Sequence, residues 1–233
     1  MMVDNKMSFC LHSRGKHLNI TIPYNSLFAI GYAGRNTEKT MEHIRELEKH
    51  LGVPAPKKIP TIFQCSNLLL TQEEEFHVVG AKTCGEAEYV IILHNGSIYI
   101  GLGSDHTDRQ LEGQSVPKAK QVCPKPISAD LWEYEEIKNH FDEIKIRSYQ
   151  TIGGKKEHYQ EGSLADILPV ETILSELYAR VGEIGNSVIF SGTVPVLDGF
   201  RYGEQFYCEM EDTVLNRKLT LTYNVAVVSE EER

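Results

Sequence analysis

Several things are scarce in this 233-residue chain, and each scarcity removes a class of protein. Positive charge is short: 24 Lys+Arg stand against 33 Asp+Glu, a formal net charge of −9. Nucleic acid or an anionic membrane surface calls for a cationic face, so neither is expected as a partner. No apolar run approaches the roughly 18 residues of a bilayer-spanning helix. The opening Met1–Lys6 lacks the charged-then-apolar profile of a secretory leader, so a cytoplasmic location is expected. The five cysteines, Cys10, Cys65, Cys84, Cys123 and Cys208, are scattered and include no C-x-x-C, which argues against a zinc ribbon or a disulfide framework. No G-x-S-x-G marks a serine nucleophile elbow, and Gly153-Gly154-Lys155-Lys156 lacks the spacing of a phosphate loop. No repeat, low-complexity tract or Gly/Ser linker divides the chain. The apolar share of 41% with 24% charged is that of a globular protein, and one domain over 1–233 is expected.

What remains is rich in β signals. Residues 17–23 alternate Leu18, Ile20 and Ile22 with polar positions, after a turn at Ser13-Arg14-Gly15-Lys16. Residues 88–93 and 98–100 are apolar runs joined through Asn95-Gly96, the preferred chemistry of a two-residue hairpin turn because both central residues need positive φ. Residues 187–190, 205–210 and 219–228 read as further strands. Helices are expected over 37–51, with Met41, Ile44, Leu47 and Leu51 on one stripe and Gly52 as its stop, over 129–141 after Ser128 as N-cap, and over 170–180 between Pro169 and Gly182. Trp132, Tyr134 and Phe141 read as packing residues, and residues 53–60, with three prolines, as a stiff loop. The pattern predicts a β-rich α+β fold with a few peripheral helices.

The Asn95-Gly96 hairpin also carries chemistry. Counting outward from the turn, Val90 faces Gly101, Glu88 faces Gly103 and Glu86 faces Asp105. Residues two apart share a face and opposed Cβ atoms lie about 5 Å apart, so three carboxylates converge at the open end. Such like charges repel, and a divalent cation with oxygen ligands relieves them. The plainer account, a solvated strand face, holds for an isolated E-x-E, and a single bulge would break the register. Gly101, Gly103 and the polar run Asp105-His106-Thr107-Asp108-Arg109 favour a site. Alternation points His106 away from Asp105, and Cys84 reads as a small core residue.

Cys84-Gly85-Glu86-Ala87-Glu88, an apolar strand and Gly103-Ser104-Asp105-His106-Thr107-Asp108-Arg109 together resemble the metal site of the fumarylacetoacetate hydrolase superfamily, which carries an E-x-E strand and a later D-x-T-x-R-D. Gly34-Arg35-Asn36 followed by His43-Ile44-Arg45-Glu46 resembles the family's G-R-N-Y-x-x-H-x-x-E lid, with three extra residues before the histidine. Ala119-Lys120-Gln121 is similar to its lysine segment, and Gly192-Thr193-Val194-Pro195 to its G-T-P turn. The G-S-D-H-T-D-R run and the short hairpin are similar to a functionally uncharacterised bacterial branch. Three features depart from the family: Gln64 stands where the F-x-K-P loop has lysine, Gln110 replaces the second acid of D-x-T-x-R-D, and no helical insertion separates the E-x-E strand from the Asp.

The resemblance implies a mixed β-roll or sandwich, residues 1–30 as an N-terminal β-hairpin extension, and a homodimer. It implies a divalent cation, Mg²⁺ first and Mn²⁺ or Ca²⁺ as alternatives, held by Glu86, Glu88 and Asp105. It also implies a small-molecule substrate, a keto acid or 1,3-dicarbonyl compound, and hydrolytic C–C cleavage through an enolate. His43 oriented by Glu46 would be the base and Lys120 would stabilise the enolate, with Arg35, Gln64, Arg109 and Thr193 binding substrate. On spacing alone His50 is an equal partner for Glu46, Lys118 and Lys125 compete with Lys120, and Arg109 is as suited to bridging Asp105 or Asp108 as to a substrate carboxylate. Hydratase, decarboxylase or isomerase chemistry, or a metabolite-binding protein without turnover, are the competing outcomes.

Overall fold

In the computed structural model, residues 5–51 and 54–231 are described. The chain runs β1 (Asn5–Ser13), β2 (Lys16–Tyr24), β3 (Ser26–Gly31), α1 (Thr37–Leu51), β4 (Thr61–Cys65), β5 (Leu70–Thr71), β6 (Glu75–Val79), β7 (Thr83–Cys84), β8 (Ala87–His94), β9 (Ser97–Ser104) and β10 (Thr107–Asp108). It continues through α2 (Arg109–Glu112), α3 (Val116–Gln121), β11 (Lys125–Glu133), α4 (Tyr134–Ile137), β12 (Lys145–Ile152), β13 (Lys155–Ser163), α5 (Val170–Val181), β14 (Ser187–Phe190), β15 (Gln205–Asp212) and β16 (Arg217–Val228). Nine strands form one mixed sheet in the order β2-β1-β11-β9-β8-β14-β3-β4, with β5 beside β11; five form a second, β13-β12-β15-β16-β6; β7 and β10 pair separately.

The large sheet has an apolar cluster on each face. Tyr89, Ile91 and Leu93 of β8 point toward the five-stranded sheet, where Phe206, Cys208, Met210, Leu219 and Tyr223 meet them. Val90 and Ile92 point the other way, into a cluster with Phe9, Leu11, Ile22, Leu27, Ile127, Leu131, Val188 and Phe190. These partners belong to strands of the same sheet, so the sheet curls around its own second core. That double burial explains why β8 reads as a continuous apolar run. The expected α+β, β-rich roll is therefore the observed fold. No described helix is long and apolar enough to cross a membrane.

Both hairpin turns form as their residues dictate. Asn95 and Gly96 have φ of 50° and 77°, and Arg14 and Gly15 have 50° and 70°. The β1–β2 hairpin covers residues 5–24, while Ser26–Gly31 lies inside the sheet between β14 and β4. Asn36 caps α1 by accepting from Lys39 N at 3.1 Å. Ile44 of its stripe is buried and Met41 exposed; the side chains of Leu47 and Leu51, and Gly52, lie outside the described residues. Helix α5 buries Val170, Ile173 and Leu177 and ends at Gly182, whose φ is 92°.

The helix expected over 129–141 does not form. Its first half is the end of β11, and only Tyr134–Ile137 is α-helical. Ser128 is not an N-cap: its hydroxyl donates to Asp130 O at 2.9 Å and accepts from Leu102 N at 3.3 Å, where the β11–β9 register shifts. Trp132 and Tyr134 both reach the core because the bulged strand β11 runs directly into the short helix α4.

Candidate metal centre

The β8–β9 register is the one counted from the turn: Val90 lies opposite Gly101 and Glu88 opposite Gly103. Ladder pairing ends at Ala87 and Ser104, but Asp105 N still donates to Glu86 O at 3.0 Å, carrying the alignment one residue further. Glu86, Glu88 and Asp105 consequently present carboxylate oxygens within 4.8 Å of one another. Glycine on β9, opposite Glu88, leaves room for the packing beside the site. A Cβ on Gly103 would sit 2.6 Å from the Phe190 ring and 2.7 Å from Val90.

The three carboxylates have different surroundings. Asp105 is fully buried between two lysines: Lys120 Nζ donates to Oδ2, and Lys125 Nζ lies 3.2 Å from Oδ1. Burial alone would raise its pKa, but the two ammonium groups overcome that and hold it at about 2. Burial likewise opposes the charge of Lys120, yet Asp105 and Glu86 outweigh it and raise the Lys120 pKa. Glu86, the outermost, pairs with Arg109 Nη2 at 2.9 Å. Glu88 is fully buried and accepts Gly192 N at 2.9 Å, with no ion-pair partner among the described residues. Burial, then the Asp105 charge, pushes its carboxyl well above the usual range. A buried carboxylate lacking a cationic partner, beside two others, is the surrounding an oxygen-preferring dication suits. The donor set therefore fits the group.

The other expected site residues divide. Lys120 joins the centre, and Lys125, an alternative on spacing, joins it too, while Lys118 is exposed. Lys125 Nζ donates to His106 O and Lys120 O at 2.6 Å and to Cys123 O at 3.0 Å, binding three segments under Asp105. Thr193 donates to Ala87 O at 2.8 Å and accepts from Gln160 Nε2 at 2.8 Å, fixing the turn whose Gly192 N meets Glu88. Gln64 is exposed and lines, with Tyr32, Ile62, Phe63 and Val116, a cavity of about 740 Å³. Phe63 connects that cavity with the centre, its ring centroid 5.7 Å from Lys120 Nζ.

Two expected substrate-binding residues are engaged by other groups of the fold. Arg109 bridges neither Asp105 nor Asp108; it is buried against Glu86 and Glu112, the latter at 3.0 Å, and so orients a carboxylate rather than offering a free guanidinium. Asp108 caps α2 instead, accepting Gln110 N and Leu111 N at 2.9 Å. Arg35 is not brought to the carboxylates. Both terminal nitrogens bond Asp142 at 2.7 Å, and it also reaches Ile167 O and Leu164 O, so it ties the 164–168 segment in place. His43 stands on α1 but its side chain lies outside the described residues, as does that of His50; Glu46 is exposed. His106 points away from the carboxylates, to Tyr223 Oη at 3.0 Å and Thr83 Oγ1 at 2.9 Å. Cys84 is buried, which raises its thiol pKa, as expected of a core residue. Spacing leaves Lys125 only an alternative to Lys120 and gives the Gly192 N–H no role at Glu88; a lysine on the apolar strand run Lys125-Pro126-Ile127 is the signal for a buried, charge-paired ammonium.

Solved structures share this fold. A 2-keto-3-deoxy-D-arabinonate dehydratase complexed with magnesium and 2,5-dioxopentanoate is 17% identical, with 89% of this chain and 74% of that one covered at a TM-score of 0.62. A yeast fumarylacetoacetate hydrolase family protein, ynq8, is 17% identical over 88% and 94%, TM-score 0.62. Maleylpyruvate hydrolase from Sphingobium sp. SYK-6 is 10% identical over 91% and 78%, TM-score 0.61. The chain thus has the fumarylacetoacetate hydrolase fold. No curated protein matches the sequence. A family model described as "Protein of unknown function (DUF2848)" matches residues 30–223, most of the chain, and the chain belongs to that family.

Proposed function

We propose that this protein is a divalent-cation-dependent enzyme acting on a small keto acid or 1,3-dicarbonyl compound, with hydrolytic C–C cleavage as its reaction. The observation that carries the proposal is Glu88, a fully buried carboxylate without an ion-pair partner among the described residues, within 4.8 Å of two others. Glu86, Glu88 and Asp105 would hold Mg²⁺, or Mn²⁺, and the ion would supply Lewis-acid polarisation of a substrate carbonyl. Charge supports the substrate class. With the ion bound and all four carboxylates ionised, the dication with Lys120, Lys125 and Arg109 would outweigh Glu86, Glu88, Asp105 and Glu112 by one charge, a balance that suits a substrate carboxylate.

Lys120 is the chain's own electrostatic group here. Its neighbours keep it charged, and it lies over Phe63, a residue that lines the cavity, so we assign it to meet negative charge developing on a substrate oxygen. Gln64 lines the same cavity and would contact the substrate's remaining part. His43, with Glu46, is proposed as the base. Dehydration of a 2-keto-3-deoxy acid is a second reading, favoured by the likeness to the dehydratase.

Thermal denaturation with Mg²⁺ or Mn²⁺ tests the centre: a concentration-dependent rise in Tm is expected for the wild type and none for Glu88→Gln. Product analysis on acylpyruvates and on 2-keto-3-deoxy acids then separates the two reactions. A wild type whose Tm ignores both ions would overturn the proposal.

A further inference from the structure

The edge of the large sheet carries a second donor cluster, chemically unlike the first. Cys10 and His12 are two apart on β1 and share a face. His17 of β2 lies directly opposite His12, and Asp130 of β11 directly beside Cys10. Three neighbouring strands thus place four potential ligands on one patch. The thiol of Cys10 and one ring nitrogen each of His12 and His17 lie within 4.8 Å of one another. The two imidazole centroids are 4.2 Å apart, and Asp130 Oδ1 is 2.6 Å from His12 Nε2.

We infer that Cys10, His12 and His17 form a site for a borderline-soft divalent metal, Zn²⁺ in kind, with Asp130 orienting His12. Zinc bonds of about 2.3 Å to sulfur and 2.0 Å to nitrogen place tetrahedral donors about 3.5 Å apart, a distance that small side-chain rotations reach from the separation seen. Thiolate and imidazole select zinc-like ions and disfavour Mg²⁺, the reverse of the all-oxygen centre. A carboxylate on the far nitrogen of a ligating histidine is the usual orienting partner. A cavity of about 500 Å³, bordered by His12, His17, Glu136 and Arg217, gives access from solvent. Arg217 does not repel an ion there, because Glu136 at 2.9 Å and Asp212 at 3.2 Å hold its charge. Binding exchanges the Cys10 S–H proton, released to solvent, for a metal–sulfur bond and uses neutral imidazole lone pairs; no oxidation is involved. The ion would pin the β1–β2 edge hairpin against β11.

Co²⁺ is the probe, added to the whole protein in excess Mg²⁺ so that the carboxylate centre does not compete. A thiolate-to-cobalt charge-transfer band with four-coordinate d–d bands is expected at one equivalent, bleached by Zn²⁺. Cys10→Ser should abolish the charge-transfer band, while Glu88→Gln keeps it. Asp130→Asn should weaken binding about 10–100-fold. His17→Ala, at an exposed position that cannot unfold the core, should weaken it at least about tenfold. Absence of the band in the wild type, its persistence in Cys10→Ser, or unchanged affinity in His17→Ala overturns the inference.

Discussion

The two hairpins of the large sheet, β1–β2 and β8–β9, are built on the same local rule and end with opposite chemistry. Each turns through a two-residue loop with φ near 50° and then 70–77°. The inner one lies between β11 and β14, and its first strand is buried throughout except at His94. The outer one has β2 as the sheet's edge, and its turn end faces water. The inner hairpin gathers carboxylates at its open end, where charge is tolerable only because β11 and α3 supply Lys125 and Lys120. The outer hairpin gathers a thiol and two imidazoles, with the Asp130 carboxylate beside them. Position in the sheet, rather than the turn, therefore decides which donors each hairpin can hold: charged oxygen where cationic partners are buried with it, nitrogen and sulfur at the edge.

The largest effect should come from breaking that counter-charge. Lys125→Met leaves Asp105 short of a partner and frees three buried carbonyls, and breaking a buried pair costs about 3–5 kcal/mol. In chelator, urea unfolding should show that loss. Glu88→Gln, at a carboxyl that burial disfavours in its charged form and that has no ion-pair partner among the described residues, should stay within about 1 kcal/mol of the wild type or gain stability. Equal losses in the two variants would erase the distinction between the ends of the carboxylate cluster. Gly103→Ala comes next. Its new Cβ meets Phe190 and Val90 inside 3 Å, and overpacking of this kind costs about 1–3 kcal/mol. A fall in Tm with a matching loss of the metal response is expected, since β9 must shift under Asp105; an unchanged Tm would show that the curled core is looser than its contacts imply.

Much of this was legible in the residues because the information was local. Asn95-Gly96 determines the turn, the turn determines the register, and the register determines that Glu86, Glu88 and Asp105 meet. What was illegible is what depends on chain segments far apart in sequence. Arg109 looked available for substrate because nothing local shows that Glu86 and Glu112 occupy it. Arg35 sits in a lid-like motif, yet its partner Asp142 comes from a segment 107 residues away. The segment 129–141 misled because a bulged strand that runs into a short helix also brings its aromatics into the core. The edge cluster escaped notice for the same reason: His12 and His17 are a hairpin pair, but Asp130 arrives beside them only when β11 pairs in parallel with β1.

The smallest effect belongs to a carboxylate outside both hairpins, and it sets the lower end of the scale on which Asp105 is the upper. Asp142 receives two hydrogen bonds from Arg35 at 2.7 Å, as strong in geometry as any contact of Asp105, but its side chain is 58% exposed. Those bonds outweigh its slight burial and hold its pKa below the usual 3.8. A depressed folded-state pKa means the pair stabilises the protein fully above about 3.8 and ceases to as pH falls through the folded value. Solvent screens an exposed pair to under about 1 kcal/mol. Asp142→Asn should thus lower stability slightly at neutral pH and converge with the wild type below that range. A penalty that approached that of Lys125→Met, or one that persisted in acid, would mean that hydrogen-bond geometry rather than burial governs how carboxylates count in this fold.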